Sequence, residues 1–186
     1  MDEGRSVDGA RTDAERMTAR LALRALRAGD LADFREIVSS PEALRFEPYG
    51  VMDPAQAGRE LEGRVASGAF TAAVLKETGK MVGMVYLGRR DYETMELGFL
   101  FHPGYWGRGY AREACGALVR EAFAHGAHRV YAECDPDNAP SWRLLERLGF
   151  RREGHLRKNV FFRRDGQGNP VWKDTYVYAL LGEDAG

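Results

Sequence analysis

Chemistry in this chain concentrates at Gly104-Tyr105-Trp106-Gly107-Arg108-Gly109-Tyr110-Ala111, a glycine-rich run standing where a strand pattern gives way to a helix pattern. Such a junction is an anion site. The first amides of a helix have no intrahelical partner and carry the positive end of the macrodipole, and glycines let an anion's oxygens approach the backbone. The run is not a Walker loop, because Tyr110 and Ala111 stand where lysine and serine or threonine are required. It is not the dinucleotide fingerprint either: Gly107-Arg108-Gly109 is followed by Tyr110-Ala111-Arg112, with no glycine or alanine at the third required position. Glycines alone would equally make an ordinary tight turn, so the surrounding elements must decide.

Ahead of the turn, Met95, Leu97, Phe99 and Phe101 fall on one face of a strand, and Glu96, Gly98, Leu100 and His102 on the other. Behind it, Ala111, Ala114, Cys115, Leu118, Val119 and Ala122 make the apolar stripe of a helix closing near Gly126. Upstream, residues 20–26 read as an edge strand, residues from Asp30 to Val38 as a helix stopped by Pro41, and Asp53-Pro54 as the start of a second helix running toward Val65. Residues 69–75 and 81–87 form a hairpin around Glu77-Thr78-Gly79-Lys80. Downstream come a strand at 129–134, a short helix from Asn138 closed by Gly149, and two long strands, 150–162 and 171–181, flanking a turn-rich loop. On the last strand Trp172, Tyr176 and Tyr178 alternate and read as core packing, while the pairs Arg151-Arg152, Arg157-Lys158 and Arg163-Arg164 read as the solvated face of the hairpin. Only one crossover demands parallel pairing, which gives an α+β domain around a mixed sheet.

The 186 residues, 44% hydrophobic and 30% charged, suit one self-sufficient domain. Lysine plus arginine number 27 against 28 aspartates and glutamates, so no net field favours a polyanion, which disfavours nucleic acid as a partner. Cys115 and Cys134 read as free thiols, which points to a reducing, cytoplasmic setting. His125 and His128 lack further ligands at zinc spacing, and no metal is expected. No segment has membrane-spanning length. Residues 1–17 are read as a polar, disordered leader, 18–182 as the domain and 183–186 as a tail.

Taken together, these motifs resemble the GNAT acyltransferases, and within them the RimJ/RimL-type branch. The resemblance rests on Glu96-Leu97-Gly98-Phe99, on His102 through Ala114, on Asn138 with Ser141, on Leu148-Gly149-Phe150 and on Trp172-Lys173-Asp174. It implies a mixed, mostly antiparallel twisted sheet flanked by helices, with a splayed central strand pair. The family's loop pattern (arginine or glutamine, two residues, glycine, one residue, glycine or alanine) maps onto Trp106, Gly109 and Ala111, with Trp106 departing from it. By this mapping Trp106, Gly107, Arg108, Gly109, Tyr110 and Ala111 would cradle the pyrophosphate of acetyl-CoA, and backbone groups of Phe99, Leu100 and Phe101 would meet its pantetheine arm.

The implied activity is direct transfer of an acetyl group from acetyl-CoA to a primary amine, with no covalent enzyme intermediate. The preferred acceptor is the N-terminal α-amine of a protein or peptide. A small-molecule amine such as an antibiotic or polyamine is the alternative, and a non-catalytic acyl-CoA-binding module the reading of a different class. Glu96 is the candidate base, with an ion-paired carboxylate as the competing reading. The family's usual tyrosine acid is replaced by Leu145, leaving Ser141 to serve or position the sulfur. Asn138 is assigned to the pantetheine with helix capping as a competing duty, and Phe46 and Tyr49 to the acceptor cleft. A homodimer is compatible with the sequence.

Overall fold

A computed structural model describes residues 15–184. In chain order the elements are β1 (Arg16–Met17), β2 (Leu21–Ala25), α1 (Leu31–Val38), α2 (Pro54–Ser67), β3 (Phe70–Leu75), β4 (Met81–Arg89), β5 (Thr94–Phe101), α3 (Tyr110–Ala124), β6 (Arg129–Cys134), α4 (Ala139–Arg147), β7 (Arg151–Arg164) and β8 (Pro170–Leu181). The eight strands make one sheet in the order β1-β2-β3-β4-β5-β6-β8-β7. β5 and β6 pair in parallel and the other neighbours are antiparallel, as a single crossover through α3 requires.

Helix boundaries follow local chemistry. Asp53 caps α2 by accepting from the amides of Ala55 and Gln56, each at 2.8 Å, while Gln56 reaches back to the Asp53 amide. α4 closes at Gly149, whose φ of +91° lets Phe150 donate to the Leu145 carbonyl and Gly149 to that of Glu146, both at 3.0 Å.

Strand alternation then sorts the core into two layers. Leu97 and Phe101 of β5 join Val82, Val85, Leu118, Val119 and Leu145 between the sheet and α3 and α4. Leu100 joins Phe34, Ile37, Leu61, Ala72 and Met84 between the opposite face and α1 and α2.

Three expectations change. The segment read as leader already pairs with the sheet at Arg16–Met17, so the ordered domain starts earlier than residue 18; residues 1–14 lie outside the described range. β2 is not the edge strand, since β1 pairs along its outer side at Arg16↔Leu23 and Met17↔Ala22, and its Leu21 and Leu23 are buried in one layer and Ala22 in the other. Trp172 is 48% exposed rather than core, its ring edge-on to Phe161 at 5.3 Å on the part of the β7–β8 hairpin that extends past β6. Tyr178, by contrast, is buried and donates to Glu146 at 3.0 Å.

Candidate active site

β5 and β6 pair only at Thr94↔Arg129, Met95↔Val130 and Glu96↔Tyr131, and beyond that point they separate. Which backbone groups face the opening follows from the register with β4. Arg90 donates to the Thr94 carbonyl and His102 to that of Val82, so even-numbered residues of β5 exchange hydrogen bonds with β4 and odd-numbered ones turn away from it. Leu97, Phe99 and Phe101 therefore direct N–H and C=O toward β6 and the gap. Leu100 does not: its backbone belongs to β4 and its side chain to the α1–α2 core, which corrects its assignment as a backbone contact for the arm. Phe101 lies flat on β4, where a Cβ on Gly83 would come within 2.3 Å of its ring; only glycine fits beneath it.

The glycine turn stands at the open end of the gap. A short 3-10 turn, Pro103–Tyr105, is capped by His102, whose Nδ1 accepts from the Gly104 amide at 3.0 Å. Trp106 then folds back so that its indole Nε1 donates to the Phe101 carbonyl at 2.8 Å. This explains the departure from the family pattern: the indole ties the turn to β5 instead of offering a polar group to a ligand. The Trp106 amide is itself spent on the Pro103 carbonyl at 3.0 Å, so it is no part of the cradle. From Gly107 through Arg112, no amide has a hydrogen-bond acceptor among the described residues. Gly107 and Gly109 hold φ of +72° and +81°, conformations that L side chains rarely adopt, and Gly109 is the N-cap of α3. A diphosphate fits this set of unpartnered donors.

At the closed end of the gap Glu96 is ion-paired with Arg90, which also donates to the Tyr86 hydroxyl at 3.2 Å. The Tyr131 and Tyr86 hydroxyls, as acceptors for the guanidinium, and then the Glu96 charge raise the Arg90 pKa above its ordinary value. Burial raises the Tyr131 phenol, and the Glu96 charge adds to this while Arg90 opposes it. Glu96 is thus both at the apex of the opening and engaged with a guanidinium.

Asn138 caps α4, its Oδ1 accepting from the Ser141 amide at 3.4 Å, while its Nδ2 has no acceptor among the described residues. Ser141 stands beside the Cys134 thiol at the end of β6. Burial pushes the Cys134 thiol up to about 12 and raises that of Cys115 as well, so neither favours the thiolate. Leu145 is wholly buried.

The α1–α2 connection carries Phe46 and Tyr49. Tyr49 accepts from Arg64 Nη2 at 2.9 Å, and burial, then the nearby Glu47 charge, push its phenol up to about 12. Burial also raises the Glu47 carboxyl. Phe46 is half-buried under the Arg45 guanidinium, 5.1 Å from the ring centre. The structure does not bring Phe46 or Tyr49 into hydrogen-bond contact with Glu96, but a packed chain links Tyr49 to it: Arg64, bonded to Tyr49, lies 4.9 Å from the Phe70 ring, Phe70 lies 5.2 Å from Tyr86, and Tyr86 meets Arg90.

Sequence reasoning missed Arg90, Tyr86, Tyr131 and Arg64. The alternation in β6, which puts Tyr131 opposite Val130 and Ala132, was the available signal for one of them. Among the described residues no three histidine, cysteine, aspartate or glutamate side chains gather closely enough to hold a metal ion. A surface depression of about 330 Å³ lined by Arg35, Glu36, Ser39 and Met52 includes none of the loop or gap residues.

The sheet opens between two parallel strands, and unpartnered amides stand at the mouth of the opening. Residues 20–151 match the family model described as the acetyltransferase (GNAT) domain. The chain belongs to the GNAT family and is an acetyl-CoA-dependent N-acetyltransferase. It is 31% identical over 173 residues to the N-acetyltransferase YnaD of Bacillus subtilis, covering 90% of this chain and 96% of that one. The crystal structure of a GNAT-family acetyltransferase from Bacillus anthracis superposes with a TM-score of 0.83 at 30% identity, covering 91% of this chain and 99% of that chain. A shorter similarity, 33% over 98 residues, links it to the ribosomal protein uS5-alanine N-acetyltransferase of Escherichia coli, covering 52% of this chain and 47% of that protein.

Proposed function

We propose that the acceptor is the N-terminal α-amine of a protein or peptide, and that the chain falls in the RimJ/RimL-type branch of its family. The observation that carries the acceptor reading is the ion pair at Glu96. A carboxylate held by a guanidinium must give up that contact to take a proton, so it suits an acceptor needing little help. Near pH 7 about one α-amine in ten is already neutral, against about one lysine amine in 2,500. The α-amine leaves Glu96 only to receive a proton through water, whereas a lysine would need several kcal/mol more from its surroundings. The partial similarity to an alanine N-acetyltransferase agrees with this reading, as do Trp106 and Ser141 with the branch.

The free amides of residues 107–112 would hold the pyrophosphate of acetyl-CoA. The coenzyme supplies an acetyl thioester. The Phe99 amide, turned into the gap, is placed to donate to negative charge developing on the carbonyl oxygen, a role worth on the order of 3 kcal/mol for a single donor in other enzymes. Asn138 Nδ2 is available to the arm, and the Ser141 hydroxyl to the sulfur. Burial of both thiols makes neither cysteine a ready acyl carrier, which supports transfer directly to the amine.

The test is incubation with isotopically labelled acetyl-CoA and a mixture of alanine- and serine-initiated peptides, free lysine derivatives and polyamines, read by mass spectrometry. Label at peptide N-termini is the expected result. Label confined to polyamines or other small amines would move the acceptor to the alternative class, and thiol release no faster than hydrolysis with every amine would overturn the proposed acceptor.

A further inference from the structure

Arg20 lies 88 residues from the glycine loop in sequence, yet its side chain ends there. Nη1 donates to the carbonyl of Arg108 at 2.8 Å, and Nε and Nη2 both reach Glu113 Oε2 at 2.7 Å. The guanidinium lies 4.5 Å from the centre of the Tyr110 ring. Glu113, in the first turns of α3, is the anchor: its other oxygen accepts from the Arg20 amide at 2.7 Å and from the Thr18 hydroxyl at 2.6 Å. The start of β2 is thereby strapped across the N-terminus of α3.

One bond in this strap has a specific geometric effect. In a trans peptide the C=O and the following N–H point to opposite sides of the chain. A guanidinium that holds the Arg108 carbonyl therefore aims the Gly109 amide the other way, among the unpartnered donors of the loop. The peptide between Arg108 and Gly109 needs such a hold, because it sits between two glycines at positive φ and the loop offers it no other bond among the described residues. Trp106, which occupies the loop's polar position, is turned back onto β5.

We propose that Arg20 is a positioning residue for the coenzyme: by fixing the Arg108 carbonyl it presents the Gly109 N–H to the pyrophosphate. The proposal rests on the reading of residues 107–112 as the pyrophosphate site. Arg20 acts before the chemical step and away from the acceptor, so its loss weakens the hold on the diphosphate and leaves turnover at saturation unchanged.

The experiment compares two acetyl donors, acetyl-CoA and S-acetylpantetheine, which shares the thioester and arm but lacks the diphosphate. With Arg20→Ala the KM for acetyl-CoA should rise about tenfold, the loss expected for one hydrogen bond to a charged oxygen. The kcat should stay within about twofold, and the KM for S-acetylpantetheine should not move. Arg20→Lys, which keeps a donor for the Arg108 carbonyl, should recover part of the loss. An equal loss with both donors would make Arg20 a general structural strap and overturn the proposal, as would an unchanged KM for acetyl-CoA. If the unsubstituted protein used both donors with the same KM, the pyrophosphate reading itself would fall, a result distinct from a failure of Arg20 alone.

Discussion

Replacing Gly109 by alanine puts the cradle under direct strain. Gly109 sits at φ +81°, ψ 5° as the N-cap of α3. An L residue there costs about 1–2 kcal/mol. The added Cβ would lie 3.4 Å from Nη2 of Arg20, a contact a side-chain tip relieves easily, so backbone strain decides the outcome. If the loop keeps its shape, the whole cost falls on stability, and for a domain of this size the melting temperature drops by roughly 2–8 °C. If φ instead relaxes to a negative value, the adjoining peptide rotates, an amide leaves the cradle, and acetyl-CoA binds about tenfold more weakly for each 1.4 kcal/mol lost. Calorimetric titration with acetyl-CoA beside a thermal melt measures both quantities on one sample. Gly107→Ala is the matched control, with φ of +72° and no atom within 4 Å of the new Cβ. A Gly109→Ala protein that melts and binds like the parent would refute the reasoning, because a left-handed residue in a ligand cradle would then carry no cost.

Glu96→Gln keeps the size of the side chain and a contact with Arg90 but cannot receive a proton; turnover should fall by no more than about 10²-fold with an α-amine and by up to about 10⁴-fold with lysine-like amines. Rates equal to the parent's across pH 6–9 would remove Glu96 from the reaction. Glu113 predicts a pH effect on stability. Burial alone would raise its pKa, but the bonds from Thr18 and Arg20 outweigh burial and hold it below the usual carboxylate value. The carboxylate therefore contributes stability that is present above its unfolded pKa and lost as pH falls through the depressed folded value. Glu113→Gln should flatten the acid limb of a melting-temperature profile below about pH 4.3, and an acid limb of unchanged slope would count against the strap.

The parts of this molecule that were legible from sequence are those set by local rules. Asp53-Pro54 and Gly149 mark helix ends because caps and left-handed closures are chosen by residue type within a few positions. The two faces of β5 separate as read because strand alternation has a strict period of two, and this placed Glu96 away from the Phe101 side. What could not be read depends on residues far apart in the chain. Nothing near Glu96 announces Tyr131, which becomes its neighbour only through the parallel register of β5 and β6. Nothing near Gly109 announces Arg20. The backbone commitment of Leu100 needed the phase of the β4–β5 ladder, which a hydrophobic pattern does not carry. Trp172 was misread because an aromatic on an alternating strand looks the same whether or not a helix covers that part of the sheet.

The opening in the sheet follows from how β6 divides its pairing. It shares six residue pairs with β8 and three with β5, so its last half follows β8 and leaves β5 behind. A sheet interior opened in this way exposes backbone donors and acceptors, each costing about 1–3 kcal/mol if buried without a partner. Trp106 removes one of them by donating to the Phe101 carbonyl, and the Leu97 carbonyl and both backbone groups of Phe99, which lie past the last β5–β6 pair, stay directed into the gap. An extended ligand with amides of its own could pair with those groups much as a further strand would, and on the proposed reading the free amides at the mouth would meet its anionic end. On that reading the indole that departs from the family's loop pattern would serve the same site from the other side, by holding the turn against the strand whose edge lies open.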